Sequence, residues 1–390
     1  MIKQTIIFCL LSINWVIAQK LDLAQLTKLG IDQNIDLALA LNRVELQKAL
    51  INTAFEMPKT KMDLQVGNIQ TPFVTDYTFG IVQNTELPKV YKLRKTYNES
   101  LVKLGESHVE ILKNEYGFSV ANIYYELLFL QHTTEALLIE NNKIKEIEKV
   151  YKRRQEEGET DGSEAANMHL RILENEMKIS RITYQKNDLE GRLKLLLNSQ
   201  IVPELSFLPA QPLLKNDVLK NARLAYQNYL IESSQIATGN EQNRLLPSIN
   251  LGVMNQSMLG SWRQFIGVVG VEIPLFSKAQ KAKVAASKIS TRIQESEFEK
   301  VKFQLESEII SLQKNLQSTD ASIALIKDSL LPESERIMQT VMKKYLAGQI
   351  DYMDWYLVYN QNLNYKMELL SLEKTRNIAI SNIKYLIGNE

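Results

Sequence analysis

The stretch Tyr77-Thr78-Phe79-Gly80-Ile81-Val82-Gln83-Asn84-Thr85 alternates along its length and then crosses Glu86-Leu87-Pro88. Period-two alternation predicts a strand with two unlike faces. The seventy residues from there to Gly158 hold no further proline, which leaves room for one helix about 100 Å long at ~1.5 Å per residue. Globular helices average about 11–12 residues, so a strand feeding a helix of this length does not belong in a compact domain. The pattern is written twice. Phe265 to Phe276 alternates, passes Glu272-Ile273-Pro274, and opens a second helical run that reaches Gly348.

Working outward from these two stretches, the halves align in order: Pro58 with Pro247, Phe79 with Phe265, Glu86 with Glu272, Pro88 with Pro274, and Gly158 with Gly348. Around the glycines, Arg154, Asp161 and Leu173 match Lys344, Asp351 and Leu363. The offset is about 190 residues, far beyond the roughly 20–50 of solenoid repeats, so the chain reads as one duplication. The first repeat is 19–200, with a β-hairpin at 60–86 and a helical hairpin turning near 158. The second is 201–390, with a β-hairpin at 247–273 and a tip near 348.

Leu21 to Glu56 reads as a helix, stopped by Pro58. Met62 to Val66 alternates as an outgoing strand, Gly67 to Asp76 is turn-like, and Tyr77 to Thr85 returns. Such arms are long enough for tilted membrane-spanning strands. In the long helix, Leu101, Leu104, His108 and Ile111 step by three and four, as do Ile144, Ile147 and Tyr151. Glu156 to Glu164 breaks the run, Gly158 and Gly162 permit a reversal, and a second helix returns through Leu170, Leu173 and Met177. Ile201 to Pro212 is a connector, and Asp217 caps a helix from Val218 to Arg244. Ile249 to Val253 and Gln264 to Ile273 mirror the first hairpin, with the turn near Gly260-Ser261. Beyond Pro274, Leu305, Ile309, Leu312, Leu316, Thr319, Ile323, Ile326 and Leu330 alternate steps of four and three. That is a coiled-coil seam, which Pro332 should kink. The last helix repeats the spacing through Val358, Asn362, Tyr365, Leu369, Leu372, Arg376, Ala379, Ile383 and Leu386.

The start of the chain has the three parts of an export signal. Lys3 precedes an apolar core from Ile6 to Ile17, and Val16-Ile17-Ala18 offers a cleavage site before Gln19, so 1–18 reads as a signal peptide. That core is shorter than the roughly 20 residues of a spanning helix. Cys9, the single cysteine, lies inside it; the mature chain therefore has no disulfide, thiol ligand or thiol nucleophile. No later stretch reaches ~18 consecutive apolar residues. An exported chain of this kind is periplasmic, secreted or an outer-membrane barrel. A net charge of +1 argues against nucleic acid as a partner.

Four strands cannot close a barrel in lipid, where an open edge leaves backbone groups unpaired. Copies of the chain must supply the rest: a dimer would fill its interior with side chains, and a trimer would leave a lumen. The fold class expected is mainly α with a small membrane β part, four strands and long antiparallel coiled-coil hairpins per copy.

The order signal, helix, hairpin, long helix, glycine tip, returning helix, all repeated, resembles the TolC-like outer-membrane efflux family. The likeness covers the whole mature chain. It is most specific at Lys344-Tyr345-Leu346-Ala347-Gly348-Gln349-Ile350-Asp351 and at the doubled Pro88/Pro274 junction. It implies a homotrimer with a twelve-stranded barrel in the outer-membrane lipid and a periplasmic α-barrel. It also implies two partners, a periplasmic adaptor (membrane fusion protein) and an inner-membrane pump of the resistance-nodulation-division type. The stretch from Gly67-Asn68 through Leu87-Pro88-Lys89-Val90-Tyr91-Lys92 is similar to the branch associated with heavy-metal efflux pumps.

The resemblance implies that Gly158, Gly348 and Tyr345 form adaptor-docking tips and that Asp354, with Asp351 a turn before it, lines a pore constriction. The simpler reading gives the glycines only a turn and makes the aspartates solvated helix-start carboxylates, favoured by the helix dipole. Gln349 and Ile350 stand where some relatives carry an arginine latch. His108, His132 and His169 are scattered and lack ligand spacing. Met338, Met342, Met353 and Met367 suit seam packing better than a metal route. Tyr77, Trp262 and Phe265 fit an interfacial aromatic belt. No Walker loop, dinucleotide fingerprint or nucleophile elbow occurs, so neither a cofactor nor catalysis is expected. A periplasmic coiled-coil adaptor or structural protein with a small soluble β-domain is the alternative.

Overall fold

The computed structural model describes residues 21–159, 162–199, 204–205, 221–258 and 261–387. The signal peptide expected at 1–18, Asp161, the connector prolines, Asp217 and Gly260 lie outside them. The elements run α1 (Leu23–Gln33), α2 (Ile35–Leu50), β1 (Lys61–Thr71), β2 (Val74–Thr85), α3 (Pro88–Glu156), α4 (Ser163–Leu196) and α5 (Ala222–Asn243). There follow β3 (Ser248–Met258), β4 (Ser261–Glu272), α6 (Lys278–Leu325), α7 (Leu331–Leu346) and α8 (Tyr352–Ile387). They form two compact units. One gathers the four strands with α2, α5, the first part of α3 and most of α6; the other holds α1, α4, the rest of α3, α7 and most of α8.

In the sheet unit the strand order is β1-β2-β3-β4, antiparallel throughout. Met62 pairs with Ile81 and Leu64 with Phe79; Ile81 pairs with Val253, and Leu251 with Val269. Because cross-strand partners share a face, Met62, Leu64, Val66, Tyr77, Phe79, Ile81, Leu251, Val253, Val269 and Val271 make one apolar face. The opposite face carries Asp63, Gln65, Asp76, Thr78, Asn84, Asn250, Gln256, Gln264 and Glu272, together with Val82, Met254, Ile266 and Val268. The apolar face is bare: Leu64, Val253 and Val269 are 67, 56 and 77 % exposed.

The arms are longer than the alternation indicates. Gly67 to Asp76, expected as a turn, mostly continues the strands, with Gly67 opposite Asp76 and an irregularity before Thr71 meets Val74. Only Pro72 and Phe73 turn, where a missing N–H costs no ladder bond.

Each β-hairpin passes into a helix at a glutamate, and the two junctions differ. Glu86 is paired with Arg94 (2.7 Å), and its N–H donates to the Tyr91 hydroxyl (3.2 Å). Glu272 accepts instead from Asn250 (2.8 Å), Ser248 (3.3 Å) and Asn84 (3.3 Å).

The expected first helix is two. It breaks at Asn34, where ψ is 123°, and the buried positions are Leu26 and Gly30 in α1 and Leu37, Ala40 and Val44 in α2. Leu29, Ile35, Leu39 and Leu41 stay exposed. Gly30 permits a close approach: a Cβ there would run into the Tyr116 ring. That tyrosine is buried with Leu26, Val120, Tyr124, Leu193 and Leu197, and its hydroxyl donates to the Leu196 carbonyl at 3.2 Å.

In the helical unit, Ile144 and Tyr151 of α3 pack with Ala165, Met168 and Ile172 of α4. This corrects the face expected for α4, because Leu170, Leu173 and Met177 are exposed. The coiled-coil seam of α6 is present: all eight positions from Leu305 to Leu330 are buried or half-buried. Ahead of Pro332 the helix widens into a π turn, Ile326–Leu330, in which the Leu331 N–H reaches the Ile326 carbonyl. Pro332 has no N–H to offer residue 328 and its ring crowds that carbonyl, so the turn takes one extra residue. α5 begins after Asn221, whose side chain accepts from the Arg223 N–H at 2.7 Å.

Candidate functional site

Both helical hairpins end in the same cap. After α3, the Gly158 N–H donates to the Gln155 carbonyl (3.1 Å) and the Glu159 N–H to Arg154 (2.9 Å). After α7, Gly348 donates to Tyr345 (3.0 Å) and Gln349 to Lys344 (3.0 Å). This is the Schellman pair of bonds, and it requires a left-handed residue at the glycine. The φ values are 75° at Gly158 and 68° at Gly348, and a Cβ at either would meet nothing within 4 Å. The glycines are there for the backbone angle, and the space around them is open.

Tyr345 is placed differently from a docking residue. It is only 4 % exposed and stacks between Tyr151 (5.8 Å) and Trp355 (5.4 Å). Trp355 continues to Tyr359 (5.1 Å), so four rings from α3, α7 and α8 form one ladder. Burial raises the Tyr345 phenol well above its ordinary value and pushes Tyr352, beside Trp355, up to about 12. Neutral rings thus fill the base of the tip. Tyr352, Trp355 and Tyr359 at spacings of three and four carry the signal that would have found this ladder.

Asp351 immediately precedes α8, and its Oδ1 accepts from the Asp354 N–H at 2.8 Å. It is the N-cap of that helix. Asp354 sits in the first turn of α8, and both carboxylates are exposed. The structure therefore gives Asp351 a local job and leaves Asp354 without one.

A polar node in the same unit was missed entirely. Arg171 of α4 reaches Glu140 of α3 (3.4 Å), Glu174 (3.0 Å) and Asn360 of α8 (3.0 Å), with its guanidinium over the Tyr356 ring. Glu140 is 1 % exposed. Beside it Asn175 donates to Asn141 at 2.9 Å. Burial raises the Glu140 carboxyl above its ordinary value, against the opposing effect of Arg171.

His169 meets Glu148 at 3.3 Å and His108 lies against Tyr226. Met338 and Met342 pack on the aromatic ladder. Among the described residues no three His, Cys, Asp or Glu side chains gather as a metal would need. Tyr77 and Trp262 stack at 5.5 Å on the sheet.

No family model matches the sequence, and no curated protein does. Solved structures match nearly the whole chain. CusC, described for conformational changes accompanying folding and transmembrane channel formation, gives a TM-score of 0.79 at 15 % identity, covering 94 % of this chain and 92 % of that one. The outer-membrane channel OprN gives 0.77 at 14 % identity, over 94 % and 90 %. The Campylobacter jejuni CmeC outer membrane channel gives 0.73 at 15 %, over 94 % and 85 %. At such identities the likeness is one of fold, and the duplicated strand-hairpin and helical-hairpin chain has the fold of these outer-membrane channels.

Proposed function

We propose that the chain is the exit duct of a tripartite efflux system, passive and without catalytic chemistry. Three copies place their sheets in the outer membrane as one barrel and their helices in the periplasm as a tube. An inner-membrane pump and a periplasmic adaptor deliver the cargo, metal cations being the class that the similarity from Gly67-Asn68 through Lys92 favours.

The observation that carries this reading is the sheet. Ten apolar side chains dominate one face, which also holds Gln83 and Asn255; the other mixes polar and charged groups with Val82, Met254, Ile266 and Val268; and both outer edges, β1 and β4, lack a strand partner among the described residues. A soluble β-domain would cover such a face; lipid suits it as it stands. Strands of 11 and 12 residues match the roughly 9–11 that cross a bilayer at a tilt. Exposed apolar residues on α4 (Leu170, Leu173, Met177) and α6 (Ile289, Ile293, Phe303) support a tube wall built from several copies. The periplasmic-adaptor alternative accounts for none of this.

In this assembly Gly158 and Gly348 offer open tips to the adaptor, Tyr345 stiffens the second tip from inside, and Asp354 stands at the constriction with Asp351. Membrane fractionation followed by native mass spectrometry in mild detergent tests the proposal. A trimer from the outer-membrane fraction is expected. Folded chain recovered without detergent, or a stable monomer, overturns it.

A further inference from the structure

The two edges of the sheet carry opposite charges at the same end and on the same face. Lys61 of β1 pairs with Val82, Val82 with Gly252, and Gly252 with Val268. Partners share a face, and so do residues two and four further along a strand. Lys61 therefore lies on the polar face with Val268, Gly270 and Glu272. Both Lys61 and Glu272 stand at the end of the sheet away from the turns.

Glu272 is also the one junction glutamate left without a cation among the described residues. Its counterpart Glu86 is neutralised by Arg94 at 2.7 Å. The residue at the same offset from Glu272 is Gln280, which donates to the Glu241 carbonyl (2.7 Å) and carboxylate (2.8 Å) instead. Glu272 accepts three bonds, all from neutral donors, while an ionised carboxylate has about four lone-pair sites and a full charge to satisfy. Across the sheet, Lys61 is bonded, among the described residues, only to Asp63, two residues along its own strand, at 3.0 Å with both side chains exposed.

We infer that Glu272 of one copy and Lys61 of the next close the seam between adjacent sheets. The inference rests on the barrel proposed above and adds the register of its joints. β1 and β4 run in opposite directions, so the seam is antiparallel like every pair within the sheet. They are 11 and 12 residues long, and matching their ends puts Lys61 level with Glu272. Barrel closure demands a fixed stagger; a slip of one two-residue step leaves the pair as diagonal neighbours about 7–8 Å apart, still within reach of a lysine. The loss of an internal cation at the second junction is then explained, because the cation comes from the neighbouring copy. Three such pairs per trimer fix the register, since a one-residue slip would turn each lysine to the lipid side.

The test uses paired cysteines in the full chain, whose single cysteine, Cys9, lies in the expected signal peptide. Lys61→Cys with Glu272→Cys, treated in outer membranes with a short thiol cross-linker, should give covalent dimers and trimers on a non-reducing gel. Gly67→Cys with Glu272→Cys is the control. Gly67 lies on the same face of β1, about 20 Å further along at ~3.3 Å per residue, and should give none. Cross-linking of the control but not of the Lys61 pair overturns the register. So does the absence of both products while native mass spectrometry still shows a trimer, an outcome that leaves the barrel itself standing. A monomer by native mass spectrometry removes barrel and seam together. As a second arm, Lys61→Glu should lose the detergent-resistant trimer and Lys61→Glu with Glu272→Lys should regain it. Failure of the double exchange to restore it overturns the pairing.

Discussion

Single residues set the tips and tie the helices behind them. Gly348 sits at φ 68° in open space, so its replacement separates the turn from the docking surface. Asparagine tolerates the left-handed region, and alanine pays about 1–2 kcal/mol there. Gly348→Asn is expected to fold and insert like the parent, yet to lose export of a dye that parent cells expel, because the added side chain occupies the space proposed for docking. Full dye export by that variant would leave the glycine with a turn and nothing more. The Glu140 carboxyl offers a different handle. Its value lies above the ordinary 4.5, raised by burial and partly restrained by Arg171. A group whose folded value is raised contributes stability that is fully present below the unfolded value and is lost as pH rises through the folded one. The parent should therefore lose stability relative to Glu140→Gln as pH climbs from about 4 to about 8, and melting curves across that range would show it. A constant difference between the two proteins would mean that Glu140 titrates normally. Arg171→Ala is the harsher change, since it strips the buried carboxylate of its cation. It should cost toward the lower end of about 3–5 kcal/mol, because Glu140 can escape by taking up a proton.

At the scale of elements, what could be read from the sequence was what local chemistry decides. Alternation from Tyr77 to Thr85 and from Gln264 to Ile273 sets a strand's two faces without reference to anything else, and the glycines at 158 and 348 satisfy a helix cap in place. The seam from Leu305 to Leu330 was legible for the same reason, a strict step of four and three with charged residues between. What the sequence hid depends on choices between faces that only tertiary packing makes. α4 has two candidate stripes; the leucine-rich one is exposed, while Ala165, Met168, Ile172 and Asn175 are the positions that packing buries. The break at Asn34 has neither glycine nor proline to announce it. Arg171 is one of many charged residues on long helices, and nothing in its neighbours' spacing marks it as the one 16 % exposed. The strands give the sharpest test at this scale. Val253→Arg places a charge on the apolar face, where lipid would cost it about 2–4 kcal/mol near the midplane. Gln256→Arg, three residues on and on the polar face, should be tolerated. Equal yields of both variants in the outer membrane, measured by heat-modifiable mobility on gels, would argue against lipid on the apolar face.

At the scale of the whole molecule, the question is whether the acidic turn after the second tip faces a pore. Asp351 caps α8 through the Asp354 N–H, and Asp354 has no such duty. In a threefold tube the three copies of Asp354 would converge on the axis, with the Asp351 ring a turn away. Carboxylates gathered in a narrow aqueous throat repel one another and favour cations over anions. If the turn instead faces bulk water, its charges lie about a Debye length or more from the permeating ions and are screened. Asparagine distinguishes these cases cleanly because it keeps the size of aspartate and caps a helix equally well. Asp351→Asn with Asp354→Asn should therefore leave α8, the trimer and the barrel intact, while its single channels in planar bilayers under a salt gradient show a reversal potential shifted toward zero. The single variants apportion the effect: Asp354→Asn should carry the larger share, and Asp351→Ala should lower the melting temperature through the lost cap without the same loss of selectivity. Selectivity unchanged in the double variant, with the trimer intact, would place both aspartates outside the conducting path and remove the constriction from this turn.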